Sequence, residues 1–262
     1  MLSIISSGLL AANKEISTIS NNISNANSTG YKRSTIEFQD VYAQTSEQTQ
    51  NAITGMGTRG DTLRINHSQG SLKTTNMSLD LGISGYGMFM STDATDGGMY
   101  YTRDGSFSLD ETGQIITNTG KILLSQNGDP ITIPFRVEAG DNSGQILEVD
   151  SISISAKGEV SANYGTNTKI EAGQIGLARF RNINGLKQRG LNEFEATNLS
   201  GLPTVGVPGN GVFGNIIQGS IEASNTDVSD EMVMMMRAQQ AFGASSRLVQ
   251  AEADIVSTFT KG

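Results

Sequence analysis

The chain has 262 residues, 31 of them glycine, with no cysteine, no tryptophan and a formal net charge of -8. That length supports one large or two modest domains around a buried core, and the lack of cysteine excludes disulfides and thiolate metal sites. The acidic balance, without any basic cluster, argues against nucleic acid and anionic membranes, and no apolar run reaches the roughly 18 to 20 residues needed to cross a bilayer.

The first predicted element is a helix. Its apolar residues fall at Ile5, Leu9, Ala12, Ile16, Ile19, Ile23 and Ala26, an unbroken heptad seam with polar residues on the other faces. Isoleucine, serine and asparagine are mediocre helix formers and Gly8 lies inside the segment, so this helix needs a packing partner. It closes on "NNISNANSTGYKR" (21–33), where Asn21, Asn22, Asn25 and Asn27 crowd together. With Gly30 as the left-handed residue after the helix, Tyr31 is expected to fold back onto Ala26 in a Schellman-type cap. The opening "MLSIISSGLLAANKEI" has neither the basic start nor the small-residue cleavage pattern of a secretory signal peptide. Taken alone, that points to the cytoplasm.

Residues 31–66 read as an extended connector, beginning with "STIEFQDVYAQ" and ending in glycine-rich "TGMGTRGD". Gly55, Gly57 and Gly60 satisfy the G-x-G-x-x-G pattern. A dinucleotide site needs a helix directly afterwards, whereas "DTLRINHSQGS" is extended, so nucleotide binding is set aside.

Residues 67–223 follow a different grammar. Short alternating stretches such as "SLDLGISGYGMFM", "GMYYTRDGSFSLD" and "SISISAKGEVSA" are separated by Gly, Asn and Asp turns, which indicates an antiparallel β domain of sandwich or barrel-like type. "DETGQI" and "SAKGEV" read as tight hairpin turns with a left-handed glycine. "SQGSLKTTN" (68–76) and "IQGSIEASN" (217–225) echo each other at the two ends of this region. Two similar strands paired at its neck would explain the echo; coincidence is the other reading.

After "EASNTDVSD" a second helix is predicted from about Val228 to Phe259, capped by Asn225 to Asp227. One seam runs Val228, Met232, Met235, Gln239, Phe242, Ser246, Val249, Ala253, Val256; a second runs Met234, Ala238, Ala241, Ser245, Leu248, Ile255, Phe259. An apolar surface that broad needs more than one neighbour. Two readings stay open: both terminal helices pack onto the middle domain, or their leftover faces meet other copies of the chain.

Little chemistry is visible. His67, the single histidine, has no second histidine or cysteine to share a metal and reads as a surface or strand residue. "TRDGS" (102–106) sets Arg103 beside Asp104, read as a hairpin with a local ion pair and not as a catalytic pair. No serine sits in a nucleophile elbow. No catalytic, metal or cofactor-binding residue is predicted, and no cofactor is expected.

"SGLLAANKEISTISNNISNANSTGYKRSTIEFQDVYAQ" (7–44) resembles the N-terminal signature of bacterial flagellar rod and hook proteins, with its paired asparagines, second amide-rich turn and Thr-Gly-aromatic-Lys. "HSQGSLKTTNMSLDLGISGYGMFM" (67–90) is similar to the family's lead into its β domain, and "YYTRDGSFSLDETGQIIT" (100–117) to its most recognisable hairpin. "QGSIEASNTDVSDEMVMMMRAQQAFGASSRLVQAEADI" (218–255) resembles its C-terminal helix. The resemblance implies an α+β fold: a helical coiled domain formed by both chain termini, with an antiparallel β domain inserted between them. On that basis the chain divides into an N-terminal helix (1–30), an extended connector (31–66), the β domain (67–223) and a C-terminal helix (224–262).

The same resemblance implies function. Copies would stack into a hollow helical tube with the terminal helices inside, forming a shaft that carries torque and serves as an export channel for later axial proteins. Export through the flagellar type III channel, without a cleaved signal peptide, would reconcile the missing signal with a basal body in the periplasm. Expected partners are further copies in a homo-oligomeric tube, adjacent rod and hook proteins and the surrounding basal-body rings, with no nucleic acid and no direct membrane insertion. Asn21, Asn22, Asn25 and Asn27, with Gly30 and Tyr31, would bind neighbouring subunits or the turn after the helix, since directional bonds fix register where apolar contact tolerates sliding. Solvation of a lumen-facing surface is the alternative for the asparagines. Met232, Met235, Phe242, Leu248 and Ile255 would pack between subunits, methionine suiting irregular contacts.

Length, "FQDVYAQTSEQTQ" (38–50) and "DPITIP" (129–134) resemble the distal rod type, while the short connector between Tyr42 and Gly55 and the ending "ADIVSTFTKG" depart from it. A proximal rod protein of similar length and a short hook subunit are the alternatives within the family. A secreted enzyme or carbohydrate-binding β domain with helical tails is the alternative outside it.

Overall fold

Helix α1 (Leu2–Ser24) and helix α2 (Val228–Lys261) stand at opposite ends of the chain in the computed structural model, which describes residues 2–42, 55–138, 146–165 and 168–261. With β1 (Ser34–Tyr42) and β2 (Gly55–Ile65) they form one of two units, made of residues 1–26, 33–66 and 226–262. The helices pack antiparallel: Asn22 of α1 bonds Glu231 of α2, while Gly8 faces Ser245. All seven positions of the predicted α1 seam are buried or half-buried. Asp227 caps α2, its carboxylate accepting from the N–H groups of Ser229 and Asp230 at 2.8 and 3.3 Å.

Two expectations change. Gly30 is left-handed (φ 67°), but α1 has already ended at Ser24, so the glycine caps no helix. The asparagines end it early: the Asn25 side-chain amide donates to the Asn21 carbonyl at 2.9 Å, and Ala26 N–H reaches only three residues back to Ile23. The connector, in turn, contains an antiparallel hairpin in which Ser34 pairs with Ile65 and Phe38 with Gly60, packed on α1. A Cβ at Gly57 would collide with Ser7, and one at Gly60 would lie 2.7 Å from the Phe38 ring. Gly57 and Gly60 thus admit close packing, and the whole G-x-G-x-x-G pattern lies within a strand where a dinucleotide site needs a helix to follow. Residues 43–54, which include the second half of "FQDVYAQTSEQTQ", lie outside the described residues.

The other unit comprises residues 27–32 and 67–225. Its first strands are β3 (Leu72–Thr74), β4 (Leu81–Ser84), β5 (Met88–Thr92), β6 (Met99–Thr102), β7 (Phe107–Leu109), β8 (Ile115–Thr117) and β9 (Ile122–Leu123). Next come β10 (Arg136–Glu138), β11 (Ile146–Ile154), β12 (Glu159–Tyr164) and β13 (Thr168–Gln174), an antiparallel sheet in sequential order. The series closes with β14 (Leu177–Arg179), β15 (Lys187–Gly190), β16 (Glu193–Glu195), β17 (Thr204–Gly206), β18 (Asn215–Gln218) and β19 (Ser220–Glu222). A larger sheet runs β15-β16-β6-β5-β9-β8-β7, with β14 joined to β5 and β17. Leu81, Phe89, Ile115, Ile131, Val160, Tyr164 and Leu177 fill the core, with Phe89 and Phe107 edge to face at 5.1 Å.

The hairpin turns fall where glycine placed them: Gly113 and Gly158 are both left-handed (φ 78°), and their N–H groups bond Asp110 and Ser155. The echo is structural. β3 pairs with β19, Leu72 opposite Glu222. The echoed glutamines behave alike, Gln69 bonding the backbone at Ile83 and Gly85 and Gln218 the backbone at Ser78, Ile152 and Ile154. Each side-chain amide substitutes for a missing strand neighbour.

Candidate functional site

The face of α2 turned to α1 is small and polar. Glu231, Ala238, Ser245 and Glu252 recur every seven residues and so share one side. Among the described residues of α2, Glu231 and Ala238 alone are buried, while Met232, Met236, Leu248 and Ile255 are exposed. Gly8 lies opposite Ser245; Leu2 is six residues before Gly8, so α1 reaches only to about residue 251 of α2. About ten residues of α2, on the order of 15 Å of helix, continue past that point. There Ile255 and Val256 are more than half exposed and Phe259 is 84 % exposed.

The residues predicted for an assembly interface therefore separate into two groups. Met232, Phe242, Leu248 and Ile255 are exposed and Met235 half-buried, and Asn21 and Asn27 are exposed with Asn25 half-buried. Asn22, Gly30 and Tyr31 are buried inside the chain's own fold. The Asn22 amide pairs with the backbone of Ser34 as a strand residue would, accepting from its N–H (3.0 Å) and donating to its carbonyl (2.8 Å). It also donates to Glu231 at 3.3 Å, and the same carboxylate pairs with the Arg33 guanidinium at 2.6 Å. Asn22→Ala would strand these buried partners and should cost the helical unit about 2 kcal/mol or more, against less than about 0.5 kcal/mol for Asn21→Ala. Helix loss during mild heating, followed by circular dichroism, checks the difference.

In the second unit, residues 27–32 are seated among strands. Gly30 N–H donates to the Glu222 carbonyl at 2.8 Å, and a Cβ on Gly30 would lie 2.5 Å from the Asp104 backbone nitrogen. The Thr29 hydroxyl donates to Asp104 at 2.8 Å, and the Asn192 side-chain amide donates to the Thr29 carbonyl at 2.8 Å. Lys32 is buried, its ammonium bonded to the Glu222 carboxylate and to the Ser68 carbonyl. Arg103 bonds the other Glu222 oxygen at 3.0 Å and the Gly85 carbonyl at 2.8 Å. Sequence reading paired Arg103 with Asp104; the long guanidinium instead reaches inward to Glu222, and Asp104 turns to Thr29. Burial lowers the pKa of both cations from their ordinary values, and Glu222 opposes the shift.

His67 lies against this cluster, its ring 5.5 Å from that of Phe194. Neither ring nitrogen has a hydrogen-bond partner among the described residues. Burial, then the charges of Lys32 and Arg103, push its pKa down to about 4 from 6.5. The folded state therefore favours the neutral ring. Its contribution is full above pH 6.5 and is lost as pH falls toward 4, because the unfolded chain takes up the proton first. Allowing for partial exposure of the ring, wild type should lose about 1 kcal/mol relative to His67→Phe between pH 7.5 and pH 5. Urea midpoints of both proteins at the two pH values measure this.

Comparison with known proteins matches residues 2–32 to the family described as flagella basal body rod protein. Residues 82–162 match the flagellar hook protein FlgE/F/G D1 domain and residues 217–260 the flagellar basal body rod FlgEFG protein C-terminal. The flagellar basal-body rod protein FlgG of Borreliella burgdorferi is 35% identical over 256 residues, 93% of this chain and 91% of that protein. The FlgG of Agrobacterium fabrum is 32% identical over 99% of this chain and 98% of its own length. The chain belongs to the flagellar basal-body rod protein FlgG family. The flagellar hook protein FlgE of Caulobacter vibrioides matches 64% of this chain but only 29% of the hook protein, which sets the FlgG-family chain apart from that longer relative.

In this FlgG-family chain, the matched stretch 2–32 includes α1 and the seated segment, and the stretch 217–260 includes Glu222 and Glu231, which hold Lys32 and Asn22. Sequence reading named none of Lys32, Arg33, Glu222 or Glu231 as structural anchors. The available signal was a charge where the pattern expects an apolar residue: Glu231 heads the α2 heptad of Ala238 and Ser245.

Proposed function

We propose that the chain is a structural subunit of the distal flagellar rod, which self-assembles into a hollow helical tube, transmits torque and lets later axial proteins pass through its lumen. Its work is mechanical and includes no catalytic step. The observation that carries this reading is the apolar overhang of α2, where Ile255, Val256 and Phe259 are exposed, together with exposed Leu248 just before it. A lone soluble chain gains nothing from holding such a stripe in water, whereas a stack of copies covers it. Met232, Met235 and Phe242 extend the same contact, and Asn21, Asn25 and Asn27 supply directional bonds to neighbours. Asn22, Gly30 and Tyr31 act indirectly, by fixing the shape that is presented.

The terminal helices form the inner, coiled part of each subunit and residues 67–223 the β domain. Adjacent rod and hook proteins meet the ends of the stack and basal-body rings its outer side. The subunit works in the periplasmic part of the basal body, reached by flagellar export. Cryo-electron microscopy of purified basal bodies tests this. Side-chain density for this sequence is expected in the distal rod, and finding it only in the proximal rod or the hook would overturn the reading.

A further inference from the structure

Residues 27–32 belong to the β-rich unit, yet the chain on either side of them belongs to the other unit. Apart from the backbone running through them, only noncovalent contacts hold them among residues 67–225. Those contacts form a recognition pattern. Thr29 is read twice, through its hydroxyl by Asp104 and through its carbonyl by Asn192. Gly30 is demanded by its φ of 67° and by the backbone of Arg103 and Asp104, which leaves no room for a Cβ and cannot yield as a flexible side chain would. Tyr31 is buried, and Lys32 meets a carboxylate and a carbonyl away from solvent.

One wall of the seat is a tight hairpin turn: Leu191 and Asn192, between β15 and β16, are both left-handed (φ 51° and 60°), as a two-residue turn requires. Asn192 supplies the amide that binds Thr29, and its own carbonyl accepts from the Thr102 hydroxyl at 3.0 Å.

We propose that residues 67–225 carry a peptide-recognition groove for the sequence Thr-Gly-aromatic-Lys, filled here by the chain's own Thr29–Lys32 and able to accept the same segment from a second copy. The chain's own segment has the advantage of tethering, with an effective concentration on the order of millimolar, so the groove is closed to competitors until that segment is displaced or defective. The groove does not depend on the rod reading, and its failure would leave that reading intact.

The test uses a fluorescein-labelled synthetic peptide of residues 25–34, NANSTGYKRS, and two full-length hosts whose own segment is impaired. Gly30→Val cannot seat its segment; Lys32→Ala loses the ammonium anchor but leaves the Arg103–Glu222 pair balanced. Fluorescence anisotropy should show saturable binding to both hosts and at least tenfold weaker binding to wild type. Peptides carrying Gly30→Val or Lys32→Ala should bind each host at least tenfold more weakly than the natural peptide. If a host does not fold alone, the natural peptide should restore its cooperative unfolding transition. The inference is overturned if natural and Gly30→Val peptides bind alike, or if the natural peptide neither binds a folded host nor restores an unfolded one.

Discussion

Glu222→Gln is expected to destabilise the β-rich unit by about 3 to 5 kcal/mol, the range for removing one partner from a buried ionic cluster. The carboxylate is fully buried and accepts from Lys32, from Arg103 and from the Gly70 N–H at 2.9 Å. Glutamine keeps the shape but cancels the negative charge that, among the described residues, pairs with both buried cations, and its amide N–H would point at one of them. Lys32→Ala should cost less, because Arg103 and Glu222 still neutralise each other. The double substitution should cost less than the sum of the two single ones, since it deletes one of the stranded cations. Urea unfolding followed by tyrosine fluorescence, which no tryptophan obscures, measures all three proteins. A loss below about 1 kcal/mol for Glu222→Gln would show that water reaches the cluster and that the seat of residues 27–32 is held mainly by packing.

Leu248→Glu combined with Ile255→Glu should have the opposite profile. Both side chains are 57 % exposed on α2, so the folded chain in isolation should change by less than about 0.5 kcal/mol per site. In the proposed tube each carboxylate would be buried against apolar neighbours without a partner, at a cost of several kcal/mol. Two such sites per subunit should weaken addition to the growing tube by about a thousandfold or more. Cells carrying the double variant should export the protein yet lack complete rods, seen by electron microscopy of basal bodies. Complete rods of normal length would place the tube contacts on another surface.

Much of this fold was legible in the sequence, and the illegible part has a common cause. The α1 seam, the start of α2 at Val228, the Asp227 cap and the turns at Gly113 and Gly158 all follow from spacings within a few residues. The pairing of β3 with β19 was legible only because the chain repeats itself. What stayed hidden depends on partners far away in sequence: Lys32 and Glu222 are separated by 190 residues, Asn22 and Glu231 by 209. Asn22 looked like Asn21 and Asn25 in sequence because nothing local distinguishes an amide that will meet Ser34 from one that will turn back onto its own helix, as Asn25 does onto Asn21. Gly30 read as a helix cap for the same reason: its left-handed backbone is a local property, whereas the close approach of Asp104 is not. The hairpin within residues 31–66 was obscured by glycines, which are poor strand formers on their own, whereas Gly57 and Gly60 make room for Ser7 and Phe38.

In the proposed tube both terminal helices gain rigidity from sister subunits, since α2 buries so little within its own chain. Hydrogen exchange on the dilute protein, compared with the same protein in isolated rods, tests that most directly. Amides of α1 and α2 should exchange orders of magnitude faster than those of core strands around Phe89 and Leu177 in the dilute chain, and become protected in the rod. Helical amides that are already as slow as the β core in dilute solution would contradict it.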